Sequence, residues 1–399
     1  MLSYTHPRRA RAAPYERMDS TMAMQCKRDF LSLNRDIIQG KAGKKVLFQP
    51  RIDCWYHDRI FRDGTLPPPY DGLSRHDLYC TLDVSPRVYE FNGCVQAYDK
   101  EPVKRWARKI SDMEQEIHIE TPVGEVIYLW ATNDSNGGWY FKTFPAKTEE
   151  DLKVMIWLEN NTLWRWNQAH YDNMVAEWGN MGLPSIFVPR VTIQKTIVEV
   201  MGVEGTVYGL ADFPETMEEF FEASENSVMR MIEVIKDCPL EWINYGDNVH
   251  GGVVSPRLFE KYIMPAYLRR NEELHKAGKF TFAHWDGDCK PLLKYARMCG
   301  LDGIEAMTPV PQGDVTIDEI KEALGDEVFL VDGIPAILFD EIYPEQQLLD
   351  TVQELIDKFA PRLILGISDE MSSTGNIERI KLVRDYVDAY NAKCDAEGN

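Results

Sequence analysis

KFTFAHWDGDCKPLLKYARMCGLDGIEAM (279–307) reads as a single strand–helix–strand unit. The apolar run KFTFAHW (279–285) predicts a strand buried on both faces, and GIEAM (303–307) predicts the next one. Between them Leu292, Leu293, Ala296 and Cys299 recur at helical spacing; Asp288 is placed to cap that helix, Pro291 sits in its first turn and Gly300 ends it. His284 and Asp286 alternate at the end of the first strand, so both side chains leave on the same side.

The same rhythm continues in both directions. Strands are predicted at KKVLFQP (44–50), SIFVPRV (185–191), TVYGLA (206–211), EWINYGD (241–247), EVFLVD (327–332) and RLILGIS (362–368), with amphipathic helices between most of them. With the two strands above this makes eight, which predicts an α/β fold: a single (β/α)8 barrel of the TIM type, with a doubly wound open sheet as the structural rival. A helix is expected over 27–40, and another at FPAKTEEDLKVMIWL (144–158), with Thr148 as its cap. Residues 78–145 break the rhythm. HIETPVGEVIYLWAT (118–132) alternates apolar and polar, and NDSNGGW (133–139) is a turn signal, so this region reads as β-hairpins inserted after the first strand. Residues 1–25 carry no apolar periodicity and are expected to form a flexible tail, leaving 26–399 as the barrel.

Charge and cysteine content narrow the function classes. Lys and Arg number 44 against 64 Asp and Glu, a formal charge of −20, which argues against nucleic acid as a partner. No apolar run approaches the ~20 residues of a membrane span, so no membrane association is expected. Eight scattered cysteines without a CxxC pair read as reduced thiols in a cytoplasmic protein.

Polar residues gather at the strand ends. Arg51 and Asp53 follow the first strand, Arg190 the next, and Tyr245, Asp247 and Asn248 end EWINYGD. His284, Asp286 and Asp288, then Glu305, Asp332, Asp369 and Glu370 follow in turn. A barrel brings these ends to one mouth, where this fold keeps its chemistry. Each carboxylate alone could merely cap a following helix. Taken together they suggest catalysis by His284, Asp286 and Asp369, and substrate binding by Arg51, Arg190, Tyr245, Asp247, Asn248, Trp285 and Glu370. His284, Asp286, Glu305 and Asp332 are candidate ligands for a divalent metal, with imidazole and oxygen donors suiting zinc; an acid–base pair or a structural role uses the same residues. Trp164, Trp166 and His170 cluster in LWRWNQAHY (163–171), a core or interface pattern that a flat aromatic ligand would also fit.

The second half of the chain resembles the uroporphyrinogen decarboxylase superfamily. GDNVHGGVVSPRLFEKYIMPAYLRR (246–270), FAHWDGDCKPLLKYARMCGLDGIEA (282–306), VDGIP (331–335) and LILGISDEM (363–371) carry the resemblance, which extends more loosely back to TPVGE (121–125). It implies one of two enzyme classes. The decarboxylases bind an octa-carboxylate tetrapyrrole through a motif resembling RQAGRYLP; PRIDCWYHDR (50–59) retains Arg51 and Arg59 but lacks the glycine turn. The corrinoid-linked methyltransferases that act on thiols hold zinc with a His-x-Cys pair and a later Cys. Here His284 is followed by Asp286, and the later position falls near Leu365, which cannot ligate. HWDGD looks most like the methyl-donor components of O- and N-demethylase systems. The resemblance thus implies transfer of a methyl group from a methoxylated, by preference aromatic, compound to the Co(I) corrinoid of a partner protein. A decarboxylase of the uroporphyrinogen type and a catalytically silent ligand-binding barrel are the alternatives. The partners expected are a corrinoid protein, a small methylated substrate and, as an admitted assembly, a second copy of the chain.

Overall fold

The computed structural model describes residues 26–133 and 138–398. The expected N-terminal tail, and Asp134–Gly137 of the turn signal, lie outside them. Among the described residues thirteen strands form three sheets. In chain order they are β1 (Leu47–Phe48), β2 (Val95–Asp99), β3 (Lys104–Lys109), β4 (Glu114–Thr121), β5 (Gly124–Thr132), β6 (Trp139–Phe141), β7 (Thr162–Trp166), β8 (Ser185–Val188), β9 (Trp242–Val249), β10 (Phe280–Trp285), β11 (Gly303–Glu305), β12 (Phe329–Pro335) and β13 (Leu363–Ser368).

The main sheet is parallel throughout and seven-stranded, in the order β1-β13-β12-β11-β10-β9-β8. It curls. Leu47, Trp242, Phe282, Phe329, Val331 and Ile364, from five of its strands, meet in one cluster on the concave side. The helix Phe30–Ile38 plugs the floor of that cluster with Phe30, Ile37 and Ile38. The convex side carries Ile243, Tyr245, Ala283, Trp285, Ile304, Leu330 and Ile367, packed under the helices in a larger core. Each strand therefore alternates between two apolar environments, which is why its sequence is apolar nearly end to end.

Seven of the eight predicted strands occur where they were expected. The exception is TVYGLA, which lies within the helix Gly202–Asp212. Its β-favouring residues Val207 and Tyr208 are exposed on that helix instead of buried in a sheet. A short apolar run does not reveal its own period, and here the flanking contacts decide for helix. The gap between β1 and β8 is occupied by a segment without strand pairing. Gln49 donates through Nε2 to Ser85 Oγ (3.2 Å) and to the Pro86 carbonyl (3.1 Å), and Ser85 Oγ donates to the Met181 carbonyl (2.9 Å).

The strands β3, β4, β5 and β6 form an antiparallel four-stranded sheet in that order. Ile117, Ile119, Val126 and Tyr128 face inward, as the alternation requires. The region expected to be hairpins from residue 78 begins differently: Arg75–Leu82 is a helix, and Tyr89–Cys94 a short 3-10 turn. β2 and β7 pair separately, which places Trp164 and Trp166 in this satellite packing, and His170 holds the Glu90 carbonyl through Nε2 at 2.8 Å. Thr148 and Asp151 make a reciprocal capping box on the helix Glu149–Asn161. The segment after β10 is a 3-10 helix, Lys290–Tyr295. Its first amides are accepted by Asp314, at 2.9 Å from Cys289 N, and not by the expected Asp288.

The cysteines do not all remain thiols. Cys26 and Cys80 are joined in a disulfide across 54 residues, correcting the expectation of reduced cysteines only. The other six are free. The pairing follows from the helix Arg75–Leu82 packing beside the start of the described chain, a proximity that spacing in sequence does not reveal. Among the described residues no helix is long and apolar enough to cross a membrane.

Candidate active site

On β9, β10 and β11 the concave positions above the apolar floor are Asn244, His284 and Glu305. Alternation sets this: Trp242 and Phe282 lie two residues earlier on the same faces. Register pairs His284 with Glu305, and His284 Nδ1 donates to Glu305 Oε1 at 2.8 Å. The second oxygen, Oε2, accepts from Arg87 Nη1 (2.6 Å) and Asn244 Nδ2 (2.8 Å). Burial opposes the charge of Glu305. The Arg87 guanidinium and the His284 hydrogen bond outweigh it and hold the carboxyl well below the usual carboxylate range. Burial likewise opposes protonation of His284, but Glu305 turns the net direction upward.

Asp332 reaches the same place by another route. Strict alternation would send it to the convex side with Leu330 and Ile334. Its backbone instead adopts φ +78°, and its side chain meets Arg87 Nη2 at 3.0 Å and lies 3.7 Å from Arg51 Nη1. Such a conformation in a non-glycine residue costs on the order of 1–3 kcal/mol. Room for it comes from Gly366 on β13, where a Cβ would lie 2.5 Å from Asp332 Oδ1 and 2.7 Å from the Gln49 carbonyl. Burial pushes the Asp332 carboxyl up to about 6, against the pull of Arg87 and Arg51.

Nearer the mouth, Arg51 pairs with Asp369, and its Nη2 lies 3.4 Å from Glu370 Oε1. Burial pushes Glu370 up to about 7 despite Arg51. His284 Nε2, the nitrogen not used by Glu305, lies 3.6 Å from Asp369 Oδ1. His284, Asp286 and Asp369 each offer a ligand atom, all within 4.8 Å of one another. The donor chemistry fits a divalent cation: one imidazole fixed through its far nitrogen by a carboxylate, and two oxygen donors. A tetrahedron of ~2 Å bonds needs donors about 3.3 Å apart, within reach of carboxylate rotation.

The predicted site residues divide into three groups. His284, Asp286, Asp369, Arg51 and Glu370 come together at the mouth. Glu305 and Asp332, expected among metal ligands, lie below it. Both Glu305 oxygens are engaged, and Asp332 is held by arginine, so they orient His284, Arg87 and Arg51. The remaining predicted residues make other contacts. Tyr245 points to the convex side and donates to Asn271 Oδ1 at 2.7 Å, and Trp285 packs edge-on against Phe259. Asp247 is a buried brace, accepting from Val191 N (2.8 Å) and the Tyr267 hydroxyl (2.6 Å). Arg190 pairs with Glu199 at 2.7 Å and reaches Asn248, itself exposed, at 3.4 Å. Arg87, Asn244 and Tyr89 were missed. An asparagine between Ile243 and Tyr245 in a buried strand was a legible signal; Arg87 and Tyr89 lay in a region read as hairpin.

The model of the family described as uroporphyrinogen decarboxylase (URO-D) matches residues 196–390. That matched segment, in the second half of the chain, is similar to the uroporphyrinogen decarboxylase superfamily. Comparison with curated protein sequences gives no match. Among solved structures, a methyltransferase from Methanosarcina mazei is similar with a TM-score of 0.53 at 13% identity, over 89% of this chain and 97% of that one. A B12-independent methionine synthase from Shewanella sp. W3-18-1 gives 0.40 at 9% identity, over 89% and 98%. The first of these likenesses bears on the fold alone.

Proposed function

We propose that this chain is a methyltransferase. On this reading it moves a methyl group from a methoxylated, by preference aromatic, compound to the Co(I) corrinoid of a partner protein, on a β/α barrel closed between β1 and β8 by Ser85–Arg87. The observation that carries the reading is the held imidazole: His284 is fixed by Glu305 through Nδ1, with Nε2 turned toward Asp369. The similarity to the Methanosarcina mazei methyltransferase supports the scaffold.

The chemistry asks for little else. The Co(I) electron pair attacks the methyl carbon, the C–O bond breaks with its pair on oxygen, and that oxygen takes up a proton. An ether oxygen leaves poorly unless its developing charge is met. A zinc-like cation would be held by His284, Asp286 and Asp369, and would supply Lewis acidity to that oxygen. Glu305 orients His284, Arg87 anchors Glu305, and Arg51 positions Asp369. The carboxyl-rich mouth, Glu370 foremost, supplies the proton.

Decarboxylation of a polyanionic tetrapyrrole fits less well. Arg51 and Arg87 are already matched by Asp369, Glu370, Glu305 and Asp332, and Arg59 donates to the Ser373 carbonyl at 2.9 Å. Substrate carboxylates would meet a mouth already rich in acids.

The test is methylation of free cob(I)alamin by a panel of methoxylated aromatics, followed by loss of the Co(I) spectrum, with zinc content measured in parallel. Wild type should turn over and His284→Ala should not, at unchanged melting temperature and reduced zinc. Full activity in His284→Ala would overturn the assignment.

A further inference from the structure

Tyr89 opens the short turn Tyr89–Cys94 beside Arg51, whose Cζ lies 5.9 Å from its ring centroid. The ring stacks on Phe187 at 5.5 Å and 19°, and Phe187 is itself held by Asn92, whose Oδ1 accepts from its backbone N–H at 2.7 Å. The Tyr89 hydroxyl is buried, and no group of the protein pairs with it. Its charged neighbours are Arg51, Glu370, Arg87 and Glu305, which places it in the cluster already described. Three further buried atoms of that cluster, Arg51 Nε, Asn244 Oδ1 and Asp332 Oδ2, are also without hydrogen bonds. Buried polar atoms left without partners are rare and cost stability, and their gathering at one place marks where a ligand completes the set.

We propose that Tyr89 is a substrate contact that donates its O–H to the oxygen bearing the methyl group, and so selects methyl ethers over quaternary ammonium donors. The inference rests on the methyl-transfer reading above and decides the class of donor within it. A phenolic O–H needs an acceptor lone pair: an ether oxygen offers one, a tetraalkylammonium nitrogen none. The bond also strengthens as charge develops on the leaving oxygen. Tyr89→Phe deletes only that hydroxyl and keeps the ring against Phe187 and Arg51.

The experiment titrates wild type and Tyr89→Phe with 2-methoxyphenol and with benzyltrimethylammonium, alongside melting temperatures. Wild type should bind 2-methoxyphenol the more tightly. The variant should bind it about tenfold more weakly, bind the ammonium unchanged, and melt no lower than wild type, since an unpaired buried hydroxyl has been removed. Unchanged 2-methoxyphenol binding in the variant, a preference of wild type for the ammonium, no binding of 2-methoxyphenol at all, or a clear drop in melting temperature would each overturn the proposal. If Tyr89-dependent binding holds while no methyl reaches cob(I)alamin, the donor site stands and the methyl-transfer reading falls.

Discussion

His284 Nδ1 lies 2.8 Å from Glu305 Oε1, and that single contact determines which imidazole nitrogen is presented to the mouth. Glu305 can play this part because Arg87 and Asn244 hold its other oxygen. Three elements distant in sequence thus converge on the orientation of one ring.

Glu305→Gln tests that dependence. The amide retains the shape but lacks the charge that fixes His284 and balances Arg87. Zinc affinity and methyl transfer should each fall about 10–100-fold, the usual cost of losing a carboxylate behind a ligating histidine. Equilibrium dialysis and steady-state rates check it; a variant equal to wild type in both would separate Glu305 from the site.

Asp332 gives stability a pH dependence of definite sign. Its carboxyl is pushed up to about 6 in the folded protein, above the 3.8 of an exposed aspartate. The folded state therefore binds the extra proton, and the contribution of Asp332 falls as pH rises from about 4 to about 6, then stays flat. The fall is on the order of 3 kcal/mol. Glu305 has the opposite sign and acts below its unfolded value. Urea unfolding at pH 4.5 and 6.5 should show a smaller loss across this window in Asp332→Asn than in wild type.

Gly366→Ala should be costly for one methyl group. The added Cβ would fall 2.5 Å from Asp332 Oδ1 and 2.7 Å from the Gln49 carbonyl, and backbone at β1 has nowhere to go. A loss of about 1–3 kcal/mol is expected, as for overpacked cores, together with reduced activity because Asp332 is displaced. Thermal melts and rates decide it.

The disulfide predicts a thiol count. The chain has eight cysteines, of which six are free, so a thiol reagent in denaturant without reductant should titrate six. Reduction should lower stability by up to about 4 kcal/mol, the chain-entropy value for a loop of this length. A count of eight would restore the reading of wholly reduced cysteines.

The sequence alone determined the periodicity of the second half. Runs such as KFTFAHW and RLILGIS are apolar on both faces because the strands are covered on both faces, and that demand is written into every position. It also placed His284 and Asp286 on one side, since alternation is a local rule. Tertiary structure decided the rest. TVYGLA became helix because its surroundings, and not its β-favouring residues, set the period. Tyr245 and Trp285 follow alternation too, but only the sheet's curl says which side is concave. Asp332 joins the cluster through a positive φ that Gly366 makes room for, a relation between two strands. Arg87 and Tyr89 arrive from the segment bridging β1 and β8, where no periodic pattern announces them. Local patterning records which face is buried; which charges meet there depends on contacts between residues more than 200 positions apart, such as Arg87 and Glu305, and only the closed chain brings these together.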